Sequence, residues 1–382
     1  MRLGIDASNI RSGGGVTHLV EMLGVATPDE QGFSQVIVWA GKQTLAKLPC
    51  EPWLKPIHDP MLDQTLPARL FWQKVRLPQF AKTECDILFC PGGGNGGGFK
   101  PYVTMSQNML PFEPYEKSRY GFSWIALRLT LLHFIQSRSF VYANGLIFLT
   151  EYARSVIFKQ INQKTEPVTV IPHGINSNFF QKPRTQKEVS SFTLEDPFHF
   201  LYVSIIDIYK HQWHVCEAIA LLRKQGYPVV LDLIGHAYPP ALQRLQKTLH
   251  KLDSEQQFLF YQGSVDYDQL NTYYHKANGF IFASSCENLP IILLEAMASG
   301  LPIACSDRGP MPEILGDAGL YFDPEKPTSI AKALTEIINE PALREKISWK
   351  AFEKAQSYSW QRCANRTFAF LKQVADSYSE PK

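Results

Sequence analysis

Two glutamates, Glu287 and Glu295, stand eight residues apart within Ser284–Gly300, where the chain reads SSCENLPIILLEAMASG. Glu295 falls inside a run that is apolar in nearly every direction. A helix of that composition is buried on all sides, and a carboxylate carried into it must be paired or hydrogen-bonded. Glu287 lies just before the helix and just after an apolar strand, Gly279–Ala283. A strand, a loop with one acid and a helix with a second acid describe a polar pocket at a sheet edge. Two structural glutamates held by a distant Arg or Lys would leave the same local pattern.

Glycines mark further places where an anion could meet backbone. The strand Arg2–Asp6 runs into Ser12-Gly13-Gly14-Gly15 and a helix from Val16. Glycines between a strand and a helix let amides approach an anion that the helix dipole also favours. As a dinucleotide fingerprint the turn fails: His18 stands where a third small residue belongs, and the strand ending at Ala40 has no acid to hold a ribose. A tight turn with no ligand is the plain alternative. Pro91–Gly98, with Gly93 and Gly94, is either a flexible loop or the wall of a substrate pocket. Pro290 suits a first helical turn, leaving amides around Leu289, Ile291 and Ile292 for an anion.

The elements that must position these groups alternate along the chain. Short apolar runs predict strands at 2–6, 35–40, 86–90, 102–106, 145–149 and 168–172, and then at 199–204, 229–234, 258–262, 279–283, 302–305 and 319–322. Helical stretches lie between them, so the fold class is α/β with two doubly wound, Rossmann-like domains. The domains are expected at 1–180 and 198–360, with the polar stretch 176–197 as linker. Helices are predicted at 327–339, 341–356 and 360–377.

Composition narrows the function classes. Hydrophobic residues make up 45% and charged residues 19% of 382, a globular balance. Seven scattered cysteines without metal-ligand spacing read as free thiols of a reducing cytoplasm. No signal peptide is evident, since Met1 leads straight into a strand. The run Trp124–Ile135 is too short to span a bilayer and is interrupted by Arg128 and His133. It reads as a core helix, or as an amphipathic helix on a membrane, to which Arg119, Arg128 and Arg138 would contribute. Residues 1–175 hold 17 Lys/Arg against 13 Asp/Glu and the remainder 21 against 23. That asymmetry fits peripheral contact with an anionic membrane and is too small for nucleic acid.

The order Glu287…Glu295-Ala-Met-Ala-Ser-Gly-Leu-Pro, then Pro312-Glu313-Ile314, Gly316-Asp-Ala-Gly-Leu320 and Phe322-Asp-Pro324, resembles the E-x7-E donor site of retaining glycosyltransferases of family 4. The resemblance implies the GT-B fold, two Rossmann-like domains facing a central cleft. An N-terminal domain would bind the acceptor, a C-terminal domain the nucleotide-sugar, and a final helix from about 360 would cross back to the first domain. It implies that Glu287 holds hydroxyls of the transferred sugar, Glu295 the ribose hydroxyls, and that the amides by Leu289, Pro290 and Ile291 face the diphosphate. The turn at Gly14 and Gly15 would approach the donor diphosphate and the acceptor.

Val203–Gln212 resembles the family stretch V-G-R-L-x-x-x-K-G, with Lys210 on the phosphate-binding Lys and Ile205 in place of Arg. Either Arg308 or His211 would supply the missing cation. Val103–Glu113 resembles V-T-V-H-D-L-x-P-F, with Gln107 at the His and Asn108 at the Asp. Gln107 can position a sugar hydroxyl without carrying charge, and ordinary loop packing is the alternative for both. Ile171–Asn176 resembles the interdomain P-N/H-G-V-D hinge and reads as structural.

The resemblance thus implies retaining transfer of a hexose, mannose from GDP-mannose as the leading reading, to a saccharide or lipid-linked acceptor in polysaccharide or lipopolysaccharide assembly. It implies no metal and no cofactor; the thiols and the charge asymmetry point to a cytoplasmic protein and leave open a peripheral place on the inner face of the membrane. Ile205 and Gln107 keep open a binding-only homologue acting as a scaffold, and the fold also serves nucleotide-sugar epimerases.

Overall fold

The computed structural model describes residues 1–94, 96–161 and 167–379. The chain divides into two compact units. One comprises Met1–Lys117, Phe122–Gly174 and the chain from Ser359 onward; the other comprises Ser118–Gly121 and Ile175–Tyr358.

The first unit is built on seven parallel strands: β1 (Arg2–Asp6), β2 (Gln35–Ala40), β3 (Leu54–His58), β4 (Ile87–Cys90), β5 (Tyr102–Met105), β6 (Gly145–Phe148) and β7 (Val168–Val170). Their order is β3-β2-β1-β4-β5-β6-β7. All six strands predicted here are present within two residues, and β3 is additional. Its sequence, LKPIH, carries a proline and is largely exposed, a pattern that only a sheet edge tolerates. β3 pairs with β2 from Leu54 to His58 and closes that edge.

Parallel crossovers are right-handed. The connections β3 to β4, β5 to β6 and β6 to β7 step one way along the sheet, so the helices Leu66–Glu84, Trp124–Tyr142 and Glu151–Ile161 share a face. The step from β1 to β2 runs the other way and sends the helix Gly14–Gly24 to the opposite face, where the C-terminal helix Trp360–Ser379 packs against it. Phe368 meets Phe33 edge-on there, centroids 5.9 Å apart. Gly174 is required by a close approach: a Cβ there would lie 2.1 Å from the Trp360 backbone nitrogen.

The second unit carries six parallel strands: β8 (Phe198–Val203), β9 (Val229–Ile234), β10 (Leu259–Gly263), β11 (Gly279–Phe282), β12 (Ile303–Ser306) and β13 (Leu320–Phe322). The order is β10-β9-β8-β11-β12-β13, and all six were predicted within two residues. The stretch 176–197, read from its polarity as a linker, lies in this unit. It is anchored by Arg344, which is fully buried and donates to the Lys187 carbonyl and Gln186 Oε1 of the stretch and to the Ile337 carbonyl outside it. The signal was missed because the partner sits about 160 residues away in the chain.

Candidate functional site

In each sheet the strand order reverses once, between β8 and β11 in the second unit and between β1 and β4 in the first. The loops leaving the carboxyl ends of two such strands diverge, which opens a crevice where open α/β sheets bind ligands. Lys210, Glu287, Gly93 and Gly94 fall on these loops, and Gly14 and Gly15 open the helix that follows one of them. Gln107 and Asn108 instead follow β5, Arg308 follows β12, and Glu295 lies inside the helix after the β11 loop.

In the second unit, β8 leads through Asp207, whose carboxylate caps the amide of Ile208 at 2.7 Å, into a short turn ending at Lys210. Tyr202 donates to the Lys210 carbonyl at 2.6 Å and fixes the turn from within the sheet. β11 leads into the loop bearing Glu287. Ser285 stitches the two loops together, its amide donating to the Tyr209 carbonyl at 2.9 Å. Lys210 is 6% exposed, and its ammonium forms an ion pair with Glu287. The rings of Tyr209 and Phe282 lie 4.9 and 5.4 Å from the same nitrogen. A buried ammonium needs such company, because its lost hydration is replaced only by an anion and π faces.

Glu295 lies inside the helix Ile291–Ala298, 2% exposed. Tyr267 and Tyr274 donate to its two oxygens at 3.2 and 3.1 Å. Burial pushes its carboxyl up to about 7, with the two tyrosines pulling the other way. The partners of the buried acid are therefore hydroxyls, and among the described residues no Arg or Lys forms an ion pair with it. Pro290 is the N-cap of this helix and not a residue of its first turn. Its carbonyl accepts from Leu293 and Leu294, which leaves the amides of Ile291 and Ile292 without an acceptor inside the helix. Gly300 closes the helix at φ 64°, pressed on the backbone of Gln181 and Pro183.

The two candidates for a second cation differ. His211 is held neutral: burial, then Arg119, lowers its imidazole to about 3. Its Nε2 meets Ser285 Oγ at 2.9 Å while that hydroxyl reaches the Tyr209 carbonyl at 3.2 Å, so the network assigns the proton to Nε2. His211 is thus no cation near neutral pH, because burial and the nearby Arg119 outweigh the opposing pull of Glu325. Arg308 is charged but half exposed, and Asp307 and Asp323 engage it at 3.2 and 3.3 Å. Arg119, read with the 124–135 helix as a membrane contact, instead forms a two-pronged pair with Glu325 at 2.6 and 3.0 Å. Its neighbour Tyr120 donates to Asp207 at 2.9 Å.

In the first unit, the helix Gly14–Gly24 begins at the glycine turn, with Gly13 at φ 65°. A Cβ on Gly15 would sit 3.2 Å from Gln107 Oε1, so the turn after β1 and the loop after β5 meet. Gln107 is half-buried and also touches Met105 Sδ at 3.3 Å. Asn108 is exposed and accepts from the Leu110 amide at 3.1 Å, an Asx turn that fits plain loop packing. Gly93 packs on Gln136, and Gly94 lies against Asp6; Asn95 of this cluster lies outside the described residues. Asp6 escaped the sequence reading: it is buried, and accepts from Ser8 Oγ at 2.6 Å and Gln73 Nε2 at 2.7 Å.

Among the described residues one group has metal-ligating chemistry, His18, His173 and Cys363, all buried, with ligand atoms within 4.8 Å of one another. The two imidazoles face each other, Nδ1 to Nδ1 at 2.9 Å. Burial lowers His18 to about 4 and raises the Cys363 thiol to about 12. Their mutual hydrogen bond accounts for the close approach of the two rings. Sequence reasoning took His18 only as a mismatch to a dinucleotide motif, because its partner lies 155 residues away.

Comparison with known proteins agrees with this geometry. Residues 184–354 match the family described as Glycosyl transferases group 1. The chain is 24% identical over 237 residues to the O-antigen chain mannosyltransferase B of Escherichia coli, covering 60% of this chain and 61% of that protein. It is 24% identical over 242 residues to a D-inositol 3-phosphate glycosyltransferase of Arthrobacter, covering 62% and 57%. The matches thus span about six-tenths of the length of these relatives. Anabaena HepE, solved in complex with UDP and glucose, superposes with a TM-score of 0.71 at 17% identity over 99% of each chain, which establishes the GT-B fold. Residues 184–354, which bear Lys210, Glu287 and Glu295, are the segment that matches the glycosyl transferases group 1.

Proposed function

We propose that this chain transfers a hexose from a nucleotide-sugar to a saccharide or lipid-linked saccharide, with retention at the anomeric carbon. The second unit binds the donor and the first the acceptor. Mannose from GDP-mannose is the donor we assign, by similarity to mannosyltransferases of O-antigen assembly. The reading rests above all on the buried Lys210–Glu287 pair at the strand-order reversal of the matched segment.

A donor diphosphate would compete with Glu287 for the Lys210 ammonium. The freed carboxylate then accepts a hydroxyl of the transferred sugar. With His211 neutral and Ile205 apolar, the leaving group is stabilised by Lys210 and by the amides of Ile291 and Ile292. The bond from the sugar C1 to the phosphate oxygen breaks as the bond from C1 to the acceptor oxygen forms. The acceptor proton ends on the departing diphosphate, so no protein base is required. Gln107 beside Gly15 orients an acceptor or sugar hydroxyl. This arrangement works by positioning and electrostatics.

The test is nucleoside diphosphate release from GDP-, UDP-, dTDP- and ADP-sugars, with and without membrane extract as acceptor source. One donor should be turned over, and Lys210→Ala should lower the rate by at least about 100-fold while thermal scans confirm a folded protein. Conversion of a donor without acceptor or diphosphate release would indicate an epimerase instead. Silence with every donor, extract included, would leave a binding-only homologue, the reading that Ile205 favours.

A further inference from the structure

The helix Trp124–Tyr142 turns an apolar stripe outward. Its buried face mixes Leu129 and Phe140 with Gln136 and Ser139, whereas Trp124, Leu127, Leu131 and Phe134 are 54–77% exposed. Those four recur at intervals of three, four and three, one continuous stripe of a helix, and Arg138 extends it by one more turn. A surface helix of a globular protein has the opposite arrangement. The inner polarity has a local cause: Ser139 Oγ donates to the Gly94 carbonyl at 2.5 Å, and Gln136 packs on Gly93. Among the described residues the outer stripe forms no part of the buried core.

The neighbouring helix Leu66–Glu84 extends the patch. It flanks the same glycine loop, with Gln73 and Pro78 against Gly97, and exposes Phe71, Val75 and Phe80. Together the two helices carry six Lys or Arg and a single acid, Glu84, which Lys55 already pairs at 3.1 Å. Arg69 feels repulsion from both Arg11 and Arg128, so the cations of the two helices are crowded on this side. Arg76 is paired with Asp59 at 3.2 Å, but exposed aromatic and aliphatic side chains interleaved with an excess of cations are what an interface with anionic lipid selects.

We infer that the outer faces of the helices Leu66–Glu84 and Trp124–Tyr142 dock on an anionic phospholipid bilayer. A second copy of the chain is a poor occupant, because a two-fold contact would set this acid-poor, cationic surface against itself. The bilayer neutralises the arginines while Trp124, Leu127, Leu131 and Phe134 enter the headgroup–acyl boundary. Among the described residues no helix is long and apolar enough to cross a membrane, so attachment is peripheral. The inference rests on the proposed transfer for its purpose, bringing the enzyme to a lipid-linked acceptor, and its test therefore reads binding and turnover separately.

The full chain is sedimented with vesicles of phosphatidylethanolamine and phosphatidylglycerol, and with vesicles of phosphatidylcholine alone. Wild type should bind the anionic vesicles, lose binding as salt is raised, and ignore phosphatidylcholine. Leu127→Glu with Phe134→Glu, both at exposed positions, should lower partitioning by at least about tenfold with nucleoside diphosphate release in solution unchanged. Brominated lipid should quench wild-type tryptophan fluorescence more than that of Trp124→Phe. The inference is overturned if wild type ignores anionic vesicles, or if the double variant binds them equally well. It is also overturned if light scattering shows a dimer that the double variant dissolves while vesicles are never bound. Vesicle binding without turnover would sink the transfer reading and leave the docking surface standing; turnover without vesicle binding would do the reverse.

Discussion

Replacing Glu295 by Gln should make the protein more stable at alkaline pH, although it removes a residue of the motif. The folded carboxyl titrates near 7 because burial penalises its charge, against an ordinary value of 4.5. Between those values the unfolded chain has released its proton and the folded chain has not. Stability contributed by the protonated acid is therefore full below about pH 4.5, falls as pH rises toward 7, and stays at its lowest above that. The shift corresponds to about 3 kcal/mol at 1.36 kcal/mol per unit, and the residue is fully buried, so solvent does not dilute it. Gln has the same shape and no charge. Its oxygen can accept from Tyr267, and its amide can donate to Tyr274, whose hydroxyl lies 3.3 Å from the Ile292 carbonyl and can turn to it. Thermal unfolding from pH 5 to pH 8.5 reads the effect. At pH 8 the variant should melt roughly 6–12 °C higher, taking 2–4 °C per kcal/mol for a unit of this size, and at pH 5 the gap should shrink to under about 1 kcal/mol. A variant less stable at pH 8, or a gap that does not change with pH, would refute the argument and mean that Glu295 is an ordinary ionised carboxylate. If that carboxylate takes ribose hydroxyls, the same variant should raise the donor KM.

Two further substitutions probe the backbone that holds these sites. His211 sits at φ 54°, the left-handed region that a β-carbon disfavours. His211→Gly should relieve about 1 kcal/mol of backbone strain yet lose the hydrogen bond to Ser285, so chemical denaturation should show a change within about 1 kcal/mol; a loss above about 3 kcal/mol would show that the imidazole itself holds the two loops together. Gly174→Ala should destabilise the first unit by about 3 kcal/mol or more, since its Cβ would overlap the Trp360 backbone; an unchanged melting temperature would show that the C-terminal helix packs elsewhere.

Much of the fold was legible because periodicity is local. Among the described residues twelve of thirteen strands were marked by short apolar runs, and β3 was not, because Pro56 and an exposed Lys55 hide an edge strand that pairs with β2. The helix Trp124–Tyr142 was placed near its start but read first as core. Hydropathy alone cannot say which side of a helix will be covered, and here the buried side carries Gln136 and Ser139, held at Gly93 and Gly94, beside Leu129 and Phe140.

Residue types and their order by themselves determined the two doubly wound sheets, the family likeness and the identity of Lys210, Glu287 and Glu295 as the residues of interest. Those are properties of near neighbours in the chain. Tertiary structure alone decided how they are used: that Lys210 pairs with Glu287 across 77 residues, that two tyrosines and not a cation hold Glu295, and that burial keeps His211 neutral. Charge state and pairing depend on desolvation and on groups brought together from distant strands, and neither exists until the sheet has set its strand order.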